Sequence, residues 1–357
     1  MLSLSSIFVY DKLFNCLRYM RAKTSEIRQF ILNMCRNKAR NVAAEAARHF
    51  DISRQAAGRH LAALENAKMV DSSGRGNAKT SWLIPLIEQS WKFSLLGLRE
   101  DIVWMENIAP LIADLPENVR DMWHYGFTEM VNNAIDHSEG MTLAIHFTRT
   151  ALDVGIWIND DGEGIFHRIQ RLGNLYDPRE AILELAKGKF TTDPANHSGE
   201  GIFFTSRAFD SFVIMSRTLY FSHKAEQDDW LIDDDRDIPG TRVFLRLDNN
   251  SQRTMNSIYS QFTEPDEFTF SKTVVPVRLA RHEGEKLVSR SQAKRLVSRF
   301  EKFKTVVLDF SGVEEIGQAF ADEIFRVFAS SHTEVELIPM HASTEVQQMI
   351  VRALAVR

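Results

Sequence analysis

At 357 residues the chain is long enough for two or three domains, and its 44% apolar and 25% charged residues are the make-up of a globular protein. Two cysteines, Cys16 and Cys35, with no Cys-x-x-Cys and no His pair at ligand spacing, exclude a disulfide framework and a structural zinc site and fit a reducing cytoplasm. No apolar run reaches the ~18 residues that cross a membrane. The net charge of −5 is unevenly spread: residues 21–80 hold twelve Lys and Arg against five Asp and Glu, +7 in all, which leaves −12 for the rest. A basic segment on an acidic body predicts a polyanion partner for one end only.

Residues 1–20 read as an N-terminal extension. Its apolar start is interrupted by Asp11 and Lys12 with no small-residue cleavage site after it, which argues against a signal peptide. Leu13, Leu17 and Met20 fall at helical spacing, yet a chain begun at Met20 keeps every later element. The first nineteen residues are therefore expected to be dispensable, the alternative being an extra helix packed on the next segment or across a dimer.

Residues 21–85 form the next segment. Ile27, Phe30, Ile31 and Met34 recur at helical spacing behind a Thr24 cap, predicting a helix to Asn37. Asn41 is placed to cap a second helix ending at Phe50. After the turn Asp51-Ile52-Ser53, Ser53 caps a third, with Ala57, Leu61 and Leu64 inward. Met69-Val70 and Thr80 to Ile84 then flank a Gly-rich basic loop as a hairpin. This succession resembles a winged helix-turn-helix. The resemblance implies DNA contacts from Arg54, Gln55 and Arg59 on the third helix and from Arg75 on the wing.

Residues 86–255 carry the densest set of motifs. Asp121 to His137 is an amphipathic helix on which Glu129 and Asn133, four residues apart, project side by side. Thr142 to Phe147 and Leu152 to Ile158 alternate like paired strands and lead into Asp160-Asp161-Gly162-Glu163-Gly164. Glycine there lets backbone approach a ligand, and the strand-end aspartate can accept a bond from an exocyclic amine. Gly199-Glu200-Gly201 stands directly before an apolar helix, an arrangement that aims N–H groups at phosphate. Gly240-Thr241 is expected to open a strand.

These four elements, in this order, resemble the GHKL superfamily of gyrase B, Hsp90, histidine kinases and anti-sigma kinases. The resemblance implies an α/β sandwich holding ATP, with Asn133 on Mg2+ and Asp160 on the adenine amine. It also implies Gly162 and Gly164 along the base, Gly199 and Gly201 on the phosphates, Thr241 supporting the adenine side and Glu129 as the catalytic base. Phe166 to Asn196, with Lys187, Lys189, Thr191 and Thr192, would be a mobile ATP lid, Lys189 reaching a phosphate or simply solvated. Residues 85–120 contain no His, which disfavours the histidine-kinase branch.

Residues 256–357 alternate strand and helix: Thr273 to Leu279, Gly284 to Phe303, Thr305 to Phe310, Gln318 to Ala329, Val335 to Met340 and Ser343 to Leu354. Val307 to Ile316 resembles the STAS domain of anti-sigma antagonists, and Gln318 to Glu323 a STAS-like family of unassigned function. Where phosphorylated STAS domains carry an acceptor serine, this chain has Gly317-Gln318-Ala319, so a docking or sensing module is expected and Ser311 reads as a turn residue. The expected whole is a multi-domain α+β chain: winged helix-turn-helix, GHKL domain, then a small α/β STAS-like domain. Its expected function is that of a cytoplasmic, homodimeric, ATP-binding and weakly ATP-hydrolysing DNA-binding regulator whose nucleotide state controls the winged helix, with a protein partner possible at the STAS-like domain and no membrane contact. The alternatives are an anti-sigma-like serine/threonine kinase acting on a partner and a GHKL DNA clamp of a mobile-element or defence system.

Overall fold

The computed structural model describes residues 23–191, 199–224, 227–264, 267–281 and 285–355; the extension 1–20, Thr192 and Asn196 lie outside the described residues. The chain divides into two compact units, one of Met1–Gln89 with Phe147–Val154, the other of Ser90–His146 with Gly155–Arg357.

In the first unit, helix α1 covers residues 23–35, so Thr24 lies inside it rather than capping it. Strand β1 (Ala39–Arg40), α2 (Val42–Phe50), α3 (Arg54–Asn66), β2 (Val70–Ser73) and β3 (Thr80–Leu83) follow. The strands form an antiparallel sheet in the order β1-β3-β2, with Val70 opposite Leu83 and Ala39 opposite Ser81. Ser53 caps α3 as expected, its hydroxyl accepting from Ala56 N at 3.1 Å. Asn41 does not cap α2 with its side chain: its backbone is left-handed (φ 55°), and its N–H donates to Lys79 O, which extends the β1–β3 pairing by a step. Ile27, Ile31, Val42, Ala46, Ala57, Leu61 and Leu64 make the core, joined by Leu152 from far along the chain. Beside Leu152, Asp153 pairs with Arg36 at 3.1 Å.

The second unit is built around a five-stranded sheet, ordered β4-β5-β6-β8-β7. Its elements begin with β4 (Ile87–Ser94), α4 (Glu100–Val103), which runs on through π and 3-10 turns to Ile112, and α5 (Glu117–His137). Then come β5 (Thr142–Arg149), β6 (Asp153–Asp160), α6 (Ile165–Gly173), α7 (Glu180–Lys187) and α8 (Gly201–Ala208). The antiparallel pair β7 (Ser211–Lys224) and β8 (Gln227–Asp248) completes the sheet. One expectation fails here: Gly240-Thr241 lies well inside β8, not at a strand start. The segment expected to be the lid carries two helices, because Ala181, Ile182 and Leu185 give α7 an apolar stripe and α6 has its own in Phe166 and Ile169.

Helix α9 (Met255–Tyr259), capped by Thr254, and the hairpin β9 (Thr263–Glu264) and β10 (Glu267–Phe270) lead to the C-terminal part. There β11 (Lys272–Pro276), α10 (Arg290–Val297), β12 (Thr305–Asp309), α11 (Gln318–Asp322), α12 (Ala329–Ser331), β13 (Glu336–Met340) and α13 (Thr344–Leu354) alternate as the sequence predicts. The three strands are parallel, in the order β11-β12-β13. The long helix expected up to Phe303 is interrupted: Arg299 adopts φ 66°, and a 3-10 turn, Phe300–Lys302, follows. Likewise α11 passes through a π turn, Glu323–Phe328, before α12. An aromatic stack of Phe203, Phe204, Tyr259, Phe262 and Phe270 ties α8 to this part, with Phe203 and Phe270 centroids 4.5 Å apart and Phe204 and Tyr259 4.4 Å apart.

Candidate functional site

A cavity of about 270 Å³ in the second unit is lined along one side by Glu129, Asn133 and His137. Glu129 and Asn133 share a stripe of α5 because they are one four-residue step apart. His137, one further step along, completes it. Val119, Trp123, Phe127, Met130 and Val131 bury the rest of that helix, which fixes the stripe.

Opposite stands Asp160, at the end of β6, with Ile158, Ile165, Ile214 and Val243 as apolar neighbours in the lining. The amides of Gly162 and Thr241 donate to its Oδ1 at 2.9 and 3.1 Å. Burial pushes the carboxyl up from its ordinary value; those two amides and the Thr241 hydroxyl offset that only in part. Thr241 Oγ1 also accepts from Ile165 N at 3.0 Å, which pins the start of α6 to β8. Asp161, in contrast, turns outward and latches the loop. It accepts from Met141 N (2.7 Å), Thr142 N (2.8 Å) and Thr142 Oγ1 (2.7 Å), and the Thr142 bonds hold its carboxyl below the usual range.

The remaining side is formed by Leu185, Phe190, Thr191, Gly199, Gly201 and Ile202. Gly201 begins α8, and a Cβ there would meet Oε2 of Glu129, so a larger residue would push that carboxylate from its place. Glu200 lies between the two glycines; burial raises its carboxyl, and the charge of Lys189 opposes the shift.

Of the residues picked out by sequence, Glu129, Asn133, Asp160, Gly199, Gly201 and Thr241 meet around this cavity. Gly162 and Gly164 are not in its lining: Gly162 works behind Asp160 through its amide, and Gly164, at φ 94°, turns the chain into α6. Lys189 is half-buried and lies outside the cavity lining. Its Nζ donates to Lys302 O at 3.0 Å and lies 4.9 Å from the Phe303 ring centroid. Lys187 is wholly buried outside the lining. Sequence reasoning missed His137, Arg168 and Phe190. The four-residue step from Asn133 would have found the first; no sequence signal marks the other two.

In the first unit Arg54, Gln55 and Arg59 are exposed on α3, and Arg75 is exposed between β2 and β3. Ala57, Leu61 and Leu64 turn the opposite face of α3 into the core, so the basic side chains share the outer one. Within the basic loop, Gly76–Ala78 forms a 3-10 turn.

A comparison with curated proteins found no match to the chain. No helix among the described residues is long and apolar enough to cross a membrane. Residues 292–347, well under half of the chain, match the family described as a STAS-like domain of unknown function (DUF4325). The C-terminal part of this multi-domain α+β protein thus contains a STAS-like domain, a fold of protein interaction.

Proposed function

We propose that the cavity binds ATP with Mg2+ and that the chain is an ATP-dependent DNA-binding regulator of the GHKL type, with residues 21–85 as its winged helix. The observation that carries the proposal is Asp160: a half-buried carboxylate, braced on one oxygen by two amides, in the lining of a cavity that Glu129 and Asn133 share. A carboxylate braced in this way suits an exocyclic amine, and the surrounding Ile and Val side chains suit the faces of a purine. Gly199, crowded by the Phe190 backbone, and Gly201, which opens α8, suit the close approach of phosphate.

The carboxamide oxygen of Asn133 is the hard donor that would hold Mg2+, whose charge would offset that of the phosphates. Glu129, one turn away, would orient a water and take its proton. Arg54, Gln55, Arg59 and Arg75 would face DNA, since an exposed cationic face on a segment of net charge +7 suits a polyanion. Strand β6 begins at Asp153, in the first unit, and ends at Asp160, in the second.

Calorimetric titration with ATP and Mg2+ is the test. Wild-type binding should be lost or weakened by about 10² in Asn133→Ala and in Asp160→Ala, the worth of removing a charged or buried polar partner. Undiminished affinity in both variants would remove the nucleotide from this cavity.

A further inference from the structure

Helix α7 is buried on every face although three of its eight residues, Glu180, Glu184 and Lys187, are ionisable. A helix buried all round is normally apolar, and buried charges stand only when paired. Lys187 is 0% exposed, and its ammonium has three protons to place. They go to Glu184 Oε1 at 2.6 Å, Arg295 O at 2.8 Å and Ser298 O at 3.0 Å. The two carbonyls lie at the C-terminal end of α10, where the helix dipole favours a cation.

Around this bond set the same two chain stretches meet repeatedly. Arg299 pairs with Glu184 Oε2 at 2.8 Å, donates to Gly188 O at 3.2 Å and lies 4.7 Å from the Phe190 ring centroid. Arg295 Nε is 3.5 Å from Glu180 Oε1, and Thr273 Oγ1 donates to Lys187 O at 2.7 Å. Lys189 donates to Lys302 O. Every partner on one side belongs to the STAS-like part, most of them inside residues 295–302. Every partner on the other lies in residues 180–190, immediately before Phe190 and Thr191 enter the cavity lining. The backbone of Phe190 in turn backs Gly199, leaving no room for a Cβ there.

We propose that the STAS-like domain is a structural wall-bearer of the nucleotide cavity, and that Arg299 and Lys187 are positioning residues that fix Phe190, Thr191 and, through them, Gly199. The proposal deepens the ATP-binding function above and rests on it. Ligands of the segment around α10 would then change nucleotide affinity directly, because that segment holds the cavity wall in register.

The test uses the full chain and two substitutions at Arg299, which keeps about a fifth of its side chain in solvent and is gentler to replace than Lys187. Arg299→Ala removes the whole guanidinium; Arg299→Lys keeps a charge for Glu184 but not the plane against Phe190 or the second nitrogen that bonds Gly188 O. ATP affinity is titrated by calorimetry, and amide hydrogen exchange of residues 188–191 is followed without nucleotide. The expected result is about a tenfold weaker affinity in Arg299→Ala, a smaller loss in Arg299→Lys, and faster exchange at 188–191 with the α5 amides unchanged. Wild-type affinity in both variants, or exchange that rises uniformly through the chain, overturns the proposal. If the wild type itself binds no ATP, the nucleotide function falls, and this proposal with it. If the wild type binds and the variants bind equally, only the wall-bearing role falls. Should Arg299→Ala fail to fold, Arg299→Lys alone decides by the same two readouts.

Discussion

The cavity of the second unit and the basic face of the first are built on opposite plans. Around the cavity the key side chains are held by others: Asp160 by two amides, Glu129 by the tight start of α8, and Thr241 by the amide of Ile165. On α3 and the adjoining loop, Arg54, Gln55, Arg59 and Arg75 stand exposed on a well-packed support. A braced site concentrates its function in single residues, so one substitution can remove it. An exposed cationic face spreads its function over several, and should lose it in steps.

The largest expected effect tests the first half of that contrast. Glu129→Ala should leave ATP binding in place and lower hydrolysis by about 10²-fold or more, the usual worth of a general base, in a phosphate-release assay. Gly201→Ala should impair the same step comparably, because its methyl group occupies the space of the Glu129 carboxylate. A Gly201→Ala enzyme with wild-type turnover would show that the close approach is incidental.

Acidification should act on the cavity before it acts on an ordinary carboxylate. Burial raises the Asp160 carboxyl above its usual value, and the carboxylate is a much stronger acceptor for an amine than the neutral acid. ATP affinity should therefore fall as pH drops toward that raised value, at a pH above the ~3.9 of a free aspartate. Asp160→Asn should bind weakly at every pH and show no such dependence. A parallel pH profile in both proteins would dissociate Asp160 from the ligand.

The stepwise half is tested with DNA. Each of Arg54→Ala, Arg59→Ala and Arg75→Ala should weaken binding moderately, most at low salt. Each should also flatten the salt dependence by about 0.9 for every phosphate the side chain had neutralised. The triple variant should add these losses. Unchanged affinity and slope in the triple variant would assign the module to protein docking.

The smallest effect belongs to the edge of the STAS-like sheet, where His341 Nδ1 lies 2.9 Å from Asp309 Oδ1. Burial would push the Asp309 carboxyl up, but the bonds from His341 and Ser311 outweigh it and hold it below the usual range. A depressed carboxyl contributes stability above its unfolded pKa, which is lost as pH falls through the folded value. His341→Ala should cost at most about 1 kcal/mol near neutrality after solvent screening, and the difference should vanish in acid. Urea titrations at two pH values measure it.

How much of this was legible in the sequence depended on whether a residue's role was local. The Ser53 cap, the inward Ala57, Leu61 and Leu64, and the paired Glu129 and Asn133 all follow from helical spacing, and the structure has them. The βα alternation of the last hundred residues follows from pattern as well. What failed was decided at a distance. Gly240 resembles the turn before a strand, but it lies inside β8, where the Asp160 carbonyl passes too close for a Cβ. Lys187 and Glu184 resemble surface charges of a polar loop, since nothing local says that α10 and Thr273 will cover them. Asn41 has the residue type of a cap, but the bond to Lys79 O claims its backbone first.

Leu152, in the core of the first unit, has a consequence for the order of synthesis. On a ribosome, a module ending at β3 could close its core as soon as Leu83 emerged. Here Leu152 and Asp153, which packs on Arg36, arrive only after α5 and β5 have been made. At roughly 5–20 residues per second the first three helices wait several seconds for their last core residue. The basic module therefore matures only once the strand that ends at Asp160 is under way, which binds the birth of the two sites to one another.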